Sequence, residues 1–472
     1  MALQVTFTDG TTELYEEEPF AQGAQARLHR SLDGRSVVKL YLTPDPGRQD
    51  ALRKIIDEYN VTLVKDEATG VRQPDPQVRG LFAWPNAIVQ KPRLGVRMEH
   101  IGGSVQYKPL EWWLGNRSFR RVPEDMRGHW LNRARVASDM ARIAWKLHGS
   151  GLCHSDFSGD NFLANVSRHQ VVLIDLDNLV IPDIITPVIL GTGEYMAPEI
   201  VTASARNDDS ARPSIYTDLH ALAVLIYKFL LMRHPLRGPK HHDSESERDE
   251  FMAMGPGALY IEDPDDTSNR PAKEFVGAWA LGEEVEALMR NAFTVGLKHP
   301  EKRSNAATWM EALLRIWDQA IPCSNPQCAG KYFVLLRNRP AVCPWCKTPV
   351  SFPKYVPILQ LYSITGQKGH FLAEKGRIVG WRDRPIHRWH TQVGVSEPRV
   401  IREEERLPMA IIEYQQQWLL TNMGMPDLRV AGNGVVQRVA IGRSAPLADG
   451  QQWRFGDDET ARMAVVSMQG IQ

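Results

Sequence analysis

The chain has 472 residues, with 56 Lys and Arg against 56 Asp and Glu, so its formal net charge is zero. This balance gives no field that would favour nucleic acid or an anionic membrane as a partner, and the length corresponds to about three domains. The most apolar run, residues 219–232, is shorter than the roughly 18 residues that span a bilayer, and His220 and Lys228 interrupt it. The N-terminus has neither the basic start nor the apolar stretch of a signal peptide, so we expect a cytoplasmic protein.

The N-terminal part of the chain contains short β-type segments. Residues 20–27 read Phe-Ala-Gln-Gly-Ala-Gln-Ala-Arg and predict a hairpin with one glycine, Gly23. Residues 36–41 predict a strand that carries a single lysine, Lys39. This strand lies between an Asp-Gly-Arg turn and a predicted helix at 49–60.

Three polar segments follow in the middle of the chain. Residues 154–161 read His-Ser-Asp-Phe-Ser-Gly-Asp-Asn, residues 174–177 read Ile-Asp-Leu-Asp, and residues 191–199 read Gly-Thr-Gly-Glu-Tyr-Met-Ala-Pro-Glu. The apolar run at 171–174 predicts a buried strand. Such a strand would hold Asp175 rigidly at its end.

In this order and spacing, the three segments resemble the catalytic loop, the metal-binding turn and the substrate-docking loop of a eukaryotic-like protein kinase. The resemblance implies an α+β bilobal protein kinase fold, with ATP and Mg²⁺ as cofactors. Asp156 would accept or orient the proton of the substrate hydroxyl, and Asn161 and Asp175 would hold Mg²⁺ against the phosphates. Lys39 would orient the phosphates.

The same resemblance predicts a nucleotide site and an acidic partner for Lys39. Gly23 would lie in the phosphate-covering loop, which has one glycine where the pattern has three. Residues 98–103 resemble the hinge between lobes, so Met98, Glu99 and His100 would bind the adenine ring through their backbone. The predicted helix at 49–60 contains three acids that could pair with Lys39, namely Asp50, Asp57 and Glu58. Glu58 lies 19 positions after Lys39 (58 − 39), which is closest to the usual separation of the lysine and its partner acid in the family.

Further positions fit the resemblance as supports of the site. Thr192 occupies the place of a threonine that contacts the catalytic Asp in serine/threonine kinases. Glu199 would pair with Arg303. Asp218 would accept backbone N–H groups from the catalytic loop, which a buried carboxylate requires.

Three residues depart from the kinase pattern. Ser155 replaces the arginine that receives an activating phosphate, so switching by a phosphate on this loop is not expected. Ser158 replaces a lysine that stabilises the transferred group, which predicts slow turnover unless another cation serves. Asp177 replaces the glycine of Asp-Phe-Gly, which predicts a stiffer turn.

Additional motifs resemble one bacterial group, the kinases of tellurite-resistance-associated triads, often called TerY-P. The resemblance covers residues 15–350 and implies a serine/threonine kinase acting on protein substrates. It also implies two partners encoded with it, a von Willebrand A-type protein and a metal-dependent protein phosphatase. The motifs lie at residues 153–158, 217–227, 233–236, 249–255, 260–264 and 268–270. Residues 237–273 as a whole are polar and predict a solvated insertion rather than a metal site.

Four cysteines form two knuckles, with fourteen residues between them (329–342). Their order suits one tetrahedral zinc ion in a zinc ribbon, and four protein ligands leave no open position for catalysis. Two disulfides or four free thiols are the alternatives, and a cytoplasmic chain disfavours disulfides. The ligands would be Cys323, Cys328, Cys343 and Cys346. The fifth cysteine, Cys153, is expected to be a packed side chain.

The C-terminal residues 354–472 alternate in the manner of an all-β sandwich. The predicted strands are 355–362, 377–381, 410–414, 418–422, 435–441, 452–455 and 463–468. Their order resembles a forkhead-associated (FHA) domain, a phosphothreonine reader, with residues 386–391 in place of its Ser-Arg-x-His core. However, His387 stands at the serine position and Trp381 at that of the phosphate-binding arginine. A plain β interaction module and a working reader both fit this pattern.

The resulting organisation is a kinase N-lobe at 1–100, a C-lobe at 101–321, a zinc ribbon at 322–353 and an FHA-like sandwich at 354–472. Two alternatives to a protein kinase stay open. A small-molecule phosphotransferase of the aminoglycoside-kinase kind shares the His-x-Asp and Ile-Asp-x-Asp motifs but lacks the docking loop present at 191–199. A pseudokinase scaffold fits the poor glycine loop and Ser158.

Overall fold

The computed structural model describes residues 2–471 except 44–46, 103–105, 182–190, 207, 209–211, 338, 351–352, 366–369 and 399–406. Gly103 of the predicted hinge therefore lies outside the described residues. The chain divides into two compact units, which are residues 1–128, 132–278 and 287–311, and residues 129–131, 279–286 and 312–472. The boundaries after residues 100, 321 and 353 stay predictions.

The first unit contains a seven-stranded antiparallel sheet with the order β2-β1-β8-β9-β5-β4-β3, and a separate hairpin, β6-β7. The predicted hairpin around Gly23 is confirmed as β3 and β4, and the predicted strand with Lys39 is confirmed as β5. The strands are β1 (Ala2–Phe7), β2 (Thr12–Glu16), β3 (Ala21–Gln22), β4 (Ala26–Arg30), β5 (Ser36–Tyr41), β6 (Leu63–Lys65), β7 (Arg72–Pro74), β8 (Pro85–Lys91) and β9 (Gly95–Glu99).

Strand β5 divides its side chains between two faces because successive side chains alternate. Val38 and Leu40 join one apolar cluster with Val5 and Phe7 of β1. Lys39 and Tyr41 lie on the opposite face. Tyr41 belongs to a second apolar cluster, which includes Leu52, a fully buried residue of the helix that follows β5.

The predicted helix at 49–60 is shorter than expected. Helix α1 covers Arg48–Arg53 and then continues as a π-helix at Lys54–Glu58. Tyr59 ends it with a backbone N–H bonded to the carbonyl of Lys54 at 3.0 Å. The i→i+5 bonding of a π-helix turns side chains differently from an α-helix, which matters for the acids of this segment.

Residues 108–319 are mostly helical and contain one small antiparallel sheet, β10 (Lys108–Pro109), β11 (Phe162–Asn165) and β12 (Gln170–Leu173), in that order. Helix α5 is buried along most of its length. The helices are α2 (Asn116–Phe119), α3 (Trp130–Gly149), α4 (Pro198–Ala205), α5 (Ile215–Leu231), α6 (Ser246–Met254), α7 (Glu283–Phe293), α8 (Val295–Lys298), α9 (Ala306–Leu314) and α10 (Ile316–Gln319).

The prediction that 237–273 is a solvated insertion is wrong for its second half. Met254, Tyr260, Ile261 and Asn269 are buried. The Asn269 amide donates to the carbonyls of Leu236 and Leu259 at 2.9 and 2.7 Å, so this segment is a packed part of the first unit despite its polar composition.

The second unit contains a two-stranded ribbon and two larger antiparallel sheets, with orders β16-β15-β24-β23-β20-β21 and β17-β18-β19-β22. Its elements are β13 (Ala320–Pro322), β14 (Tyr332–Val334), β15 (Tyr355–Ile364), β16 (Phe371–Val379), β17 (Arg384–Ile386), α11 (Arg388–Thr391), β18 (Ala410–Gln415), β19 (Gln417–Asn422), β20 (Arg429–Gly432), β21 (Val435–Arg438), β22 (Ser444–Pro446), β23 (Gln452–Arg454) and β24 (Met463–Gly470).

One apolar core joins the two larger sheets and the ribbon. Ile358 of β15, Ile412 of β18 and Trp453 of β23 belong to it, together with Phe333 and Cys343 of the ribbon region. Each predicted strand overlaps an observed one, whereas the sequence pattern does not predict β17, β20 and β22. Within the described residues, no helix combines the length and the apolar character needed to cross a membrane.

Candidate functional site

The structure brings Lys39 together with the acidic turn that follows β12. Lys39 Nζ donates a hydrogen bond to Asp175 and a second one, of 2.9 Å, to Asp177 Oδ1. Asp177 also accepts a 2.6 Å bond at Oδ2 from the hydroxyl of Tyr41. Since Lys39 and Tyr41 share a face of β5, the strand holds this turn at two points.

This arrangement corrects the predicted partner of Lys39. Among the described residues, the carboxylates that contact Lys39 belong to Asp175 and Asp177. Asp50 instead pairs with Arg53 on the surface, and Glu58 is exposed at the end of the π-helix. The prediction of Glu58 is wrong because this segment does not continue as the α-helix that the offset assumes.

Burial and charge together fix the protonation of this cluster. The side chains of Lys39 and Asp177 are 11% and 1% exposed. Burial lowers the pKa of Lys39, but the nearby carboxylates of Asp177 and Asp175 outweigh burial and raise this pKa above its ordinary value. Burial raises the pKa of Asp175, but Lys39 outweighs burial, so the pKa of Asp175 is lowered. Lys39 is therefore a cation and Asp175 an anion at neutral pH.

Asp156 and Asn161 form the second half of the site. The Asn161 amide nitrogen donates to the backbone carbonyl and to Oδ2 of Asp156, both at 2.9 Å. The other carboxylate oxygen, Oδ1, accepts from the backbone N–H and hydroxyl of Thr192 at 2.9 and 2.8 Å. The predicted contact between Thr192 and Asp156 is confirmed.

The small sheet connects the two halves. Phe162 of β11 pairs with Leu173 of β12, and the carbonyl of Asn161 accepts the N–H of Ile174 at 2.9 Å. Asp175 is the next residue along the chain. The register of β11 and β12 therefore places Asn161 beside the turn that carries Asp175.

These residues fit a magnesium ion, which prefers oxygen ligands. Asp175 supplies a carboxylate whose Oδ2 accepts a 3.3 Å bond from the Asn178 amide. Asn161 uses its nitrogen toward Asp156, so its amide oxygen is the atom available to a metal. Both donors are of the type that Mg²⁺ requires.

The backbone is strained at two points of this site. Ser155 and Asp175 have φ values of 65° and 62°, in the left-handed region that non-glycine residues seldom adopt. Strain of this kind clusters at functional sites, where the surrounding structure over-determines it. At Asp177, in contrast, φ is not positive, so the turn does not need the glycine that Asp177 replaces.

Asp218 supports the catalytic loop, as predicted. Its carboxylate accepts the backbone N–H groups of His154 and Ser155 at 2.7 and 3.1 Å. His148 Nε2 lies 3.2 Å from the same carboxylate. Cys153, next to the loop, is fully buried, and burial raises the pKa of its thiol, which agrees with a packing role.

The docking loop is anchored at both ends. Glu199 and Arg303 form a bidentate pair at 2.7 and 2.8 Å, with the Arg303 side chain 1% exposed, which confirms the predicted pair. Within the loop, Lys228 of α5 donates to Glu194 and to the Tyr195 hydroxyl, each at 2.7 Å. Lys228 was not expected to have this role, although a lone lysine in an apolar helix is a signal for a buried partner.

A cavity of about 630 Å³ lies beside the docking loop. Its wall includes Gly193 and Met196 of the loop and Phe251 and Met254 of α6. Gly193, one of the residues in its wall, directly follows Thr192, which contacts Asp156.

The predicted nucleotide loop and hinge have ordinary backbone contacts. Gly23 N–H bonds to the carbonyl of Ala26 at 3.0 Å, and a side chain at Gly23 would meet open space. Met98 and Glu99 end β9, opposite Val37 and Ser36 of β5. His100 N–H bonds to the carbonyl of Arg35 at 2.9 Å. Gly23 therefore lies in the hairpin of β3 and β4, and Met98 and Glu99 lie in β9, which pairs with the strand of Lys39. Their role in nucleotide binding stays a prediction.

The four cysteines form the second candidate site. Their sulfurs all lie within 4.8 Å of one another, and the Cys323–Cys346 and Cys328–Cys343 distances are 3.5 and 3.7 Å. A zinc–sulfur bond of about 2.3 Å gives sulfur–sulfur edges of about 3.8 Å in a tetrahedron. A disulfide would require about 2.05 Å, so the four sulfurs, in this arrangement, fit one zinc ion better than two disulfides.

Residues in and beside the segment 386–391, which is predicted to resemble an FHA core, make contacts inside the second unit. The Arg384 guanidinium donates to the carbonyls of Trp317, at 2.7 Å, and Ala320. His390 Nε2 lies 3.1 Å from Asp318. His387 stacks on Trp389 with ring centroids 4.3 Å apart. His387 and His390 belong to the predicted core at 386–391, whereas Arg384 lies just before it.

Comparison with known proteins agrees with the first unit's geometry. The family model of the protein kinase domain matches residues 132–313. This segment contains the predicted catalytic loop, the acidic turn, the predicted docking loop and Arg303. The match supports a eukaryotic-like protein kinase domain over these residues, and with it phosphotransferase activity, for which it implies the use of ATP and Mg²⁺. No curated protein matches the chain.

Proposed function

We propose that this protein is an ATP- and Mg²⁺-dependent protein serine/threonine kinase. The observation that carries this proposal is the continuous set of contacts from Lys39 through Asp175 and Asn161 to Asp156 and Thr192. These contacts support one site with a cation, two oxygen donors suited to Mg²⁺ and a carboxylate beside the docking loop. The residue roles and the serine/threonine preference belong to this proposal.

In the proposed reaction, the acceptor hydroxyl attacks the γ-phosphorus of ATP while the bond to the bridging oxygen of ADP breaks. The hydroxyl proton goes to Asp156, which Thr192 and Asn161 hold in place by hydrogen bonds. Lys39 orients the phosphates through its charge. Mg²⁺, when bound by Asp175 and Asn161, neutralises negative charge on the phosphates.

Two features favour a polypeptide acceptor over a small molecule. The loop at 191–199 is held by the buried Glu199–Arg303 pair, and a cavity large enough for side chains adjoins it. The aminoglycoside-kinase alternative has no counterpart of this loop. The contact of Thr192 with Asp156 supports serine or threonine as the acceptor.

The remaining parts of the proposal concern the second unit. Cys323, Cys328, Cys343 and Cys346 hold a structural zinc ion. The β-sheets form an FHA-like interaction module rather than a phosphothreonine reader, because Trp381 stands where the phosphate-binding arginine would be and His390 is engaged by Asp318. The kinase acts in the cytoplasm on partners of a tellurite-resistance-type system, such as a von Willebrand A-type protein or a metal-dependent phosphatase.

Incubation with γ-labelled ATP and Mg²⁺ tests the proposal, with purified protein alone and with bacterial cytosolic extract. We expect label on protein serine or threonine for the wild type and none for Asp156→Ala or Asp175→Ala. Label on small molecules alone would favour the aminoglycoside-kinase alternative. Nucleotide binding without any transfer would favour the pseudokinase scaffold.

A further inference from the structure

Lys39 has two carboxylate partners, and they are not equivalent. Asp175 is the candidate metal ligand, and its side chain is 29% exposed, whereas that of Asp177 is 1% exposed. A carboxylate that coordinates Mg²⁺ interacts mainly with the metal, so Asp175 would attract Lys39 less strongly once Mg²⁺ and nucleotide are bound. Asp177 is not a candidate metal ligand.

The surroundings of Asp177 fix its side chain from two sides. One oxygen accepts from Lys39 at 2.9 Å and the other from the Tyr41 hydroxyl at 2.6 Å. The guanidinium of Arg48, at the start of α1, lies 4.4 Å from the centroid of the Tyr41 ring, a distance at which a cation is attracted to an aromatic face. Helix α1 therefore reaches the pair through Tyr41 rather than through an acid.

From this geometry we infer that Asp177 is the positioning residue for Lys39, and that it takes the role of the helix acid that protein kinases pair with their strand lysine. The inference rests on the proposed kinase function. It explains why the helix at 48–58 can end in a π-helical turn with Glu58 exposed: no acid is needed there. The inference also explains why an aspartate, Asp177, stands where the kinase pattern has the glycine of Asp-Phe-Gly.

The test compares Asp177→Asn with a matched control, Glu58→Gln, in the full-length protein. Removing a charged hydrogen-bond partner corresponds to about a ten- to hundredfold effect. We expect kcat/KM for ATP to fall by that factor in Asp177→Asn, while the KM for the protein substrate stays within twofold of wild type. Glu58→Gln should stay within twofold in both constants.

A binding measurement does not depend on turnover. Fluorescence titration with trinitrophenyl-ATP in EDTA reports the affinity for the nucleotide without metal. We expect Asp177→Asn to bind about tenfold more weakly, and Tyr41→Phe, which loses only the hydroxyl, to weaken binding by a smaller factor. Tyr41→Phe also keeps the inference testable if Asp177→Asn does not fold.

The outcomes separate the inference from the proposed function. Equal ATP affinity in wild type and both variants, or a loss in Glu58→Gln as large as that in Asp177→Asn, overturns the role of Asp177. If the wild type binds ATP but transfers no phosphate, the kinase proposal is wrong. Weaker binding in Asp177→Asn would then still support the positioning of Lys39.

Discussion

Acid should loosen the docking loop through one buried histidine, His234. Its Nε2 lies 2.9 Å from the carbonyl oxygen of Glu194, and its Nδ1 accepts the backbone N–H of Leu236 at 3.2 Å. An imidazole that donates through one nitrogen and accepts through the other is neutral. Protonation would therefore break the contact with Leu236 and place a charge inside the first unit.

The size of the effect follows from the shift in pKa. Burial lowers the pKa of His234 from 6.5 to about 4, although the bond to Glu194 partly opposes it. Between these values the unfolded chain binds a proton that the folded chain does not, so stability is complete above pH 6.5 and falls as the pH drops toward 4. By pH 5 the loss amounts to about 2 kcal/mol.

Urea unfolding at pH 7 and pH 5 measures this loss. Unfolding is detected by hydrogen exchange in peptides from α5, so that the signal reports the first unit. We expect the wild type to lose about 2 kcal/mol more between the two pH values than His234→Gln. A control, His241→Gln, removes a histidine whose side chain is 85% exposed and should behave as wild type. Equal pH dependence in wild type and His234→Gln would refute the reasoning.

Three further predictions concern the supports of the two sites. Arg303→Leu leaves Glu199 without its buried partner and should lower the free energy of unfolding by about 3 kcal/mol. The control Arg53→Ala, on the surface, should lower it by under about 0.5 kcal/mol. Equal urea midpoints for the two variants would contradict this prediction. Asp218→Ala leaves two backbone N–H groups unpaired and should destabilise the first unit by about 2 to 4 kcal/mol, measured in the same way. Elemental analysis should find one zinc ion per wild-type chain and none in Cys343→Ser; zinc-free wild type that keeps its melting temperature would refute a structural zinc site.

Local motifs predict most of the candidate catalytic site. Asp156, Asn161, Asp175 and Thr192 stand at spacings that chemistry requires, and the structure brings them together. Strand β5 also follows from sequence, because it depends on a short pattern of apolar residues. The pair of Glu199 with Arg303, 104 residues apart, follows instead from the resemblance to protein kinases.

The partner of Lys39 could not be predicted in the same way. Asp177 is 138 residues away in sequence, and nothing in the local pattern distinguishes it from a solvent-exposed acid. Similarly, Lys228 interrupts an apolar helix, but only the fold shows that it meets Glu194 and Tyr195. Short strands such as β17 contain too few residues for an alternating pattern to be visible in the sequence. The contact of its Arg384 with a backbone carbonyl is likewise seen only in the structure.

In the proposed reaction, Asp156 serves the acceptor hydroxyl during phosphoryl transfer to protein. The most direct measurement is the initial rate of label transfer from γ-labelled ATP to serine and threonine of protein substrate, for wild type, Asp156→Asn and the neighbouring Asp160→Asn. Asp160 is exposed and serves as the matched control. We expect Asp156→Asn to fall by at least about a hundredfold with ATP affinity retained, and Asp160→Asn to stay within twofold. Transfer by Asp156→Asn at the wild-type rate would contradict the account.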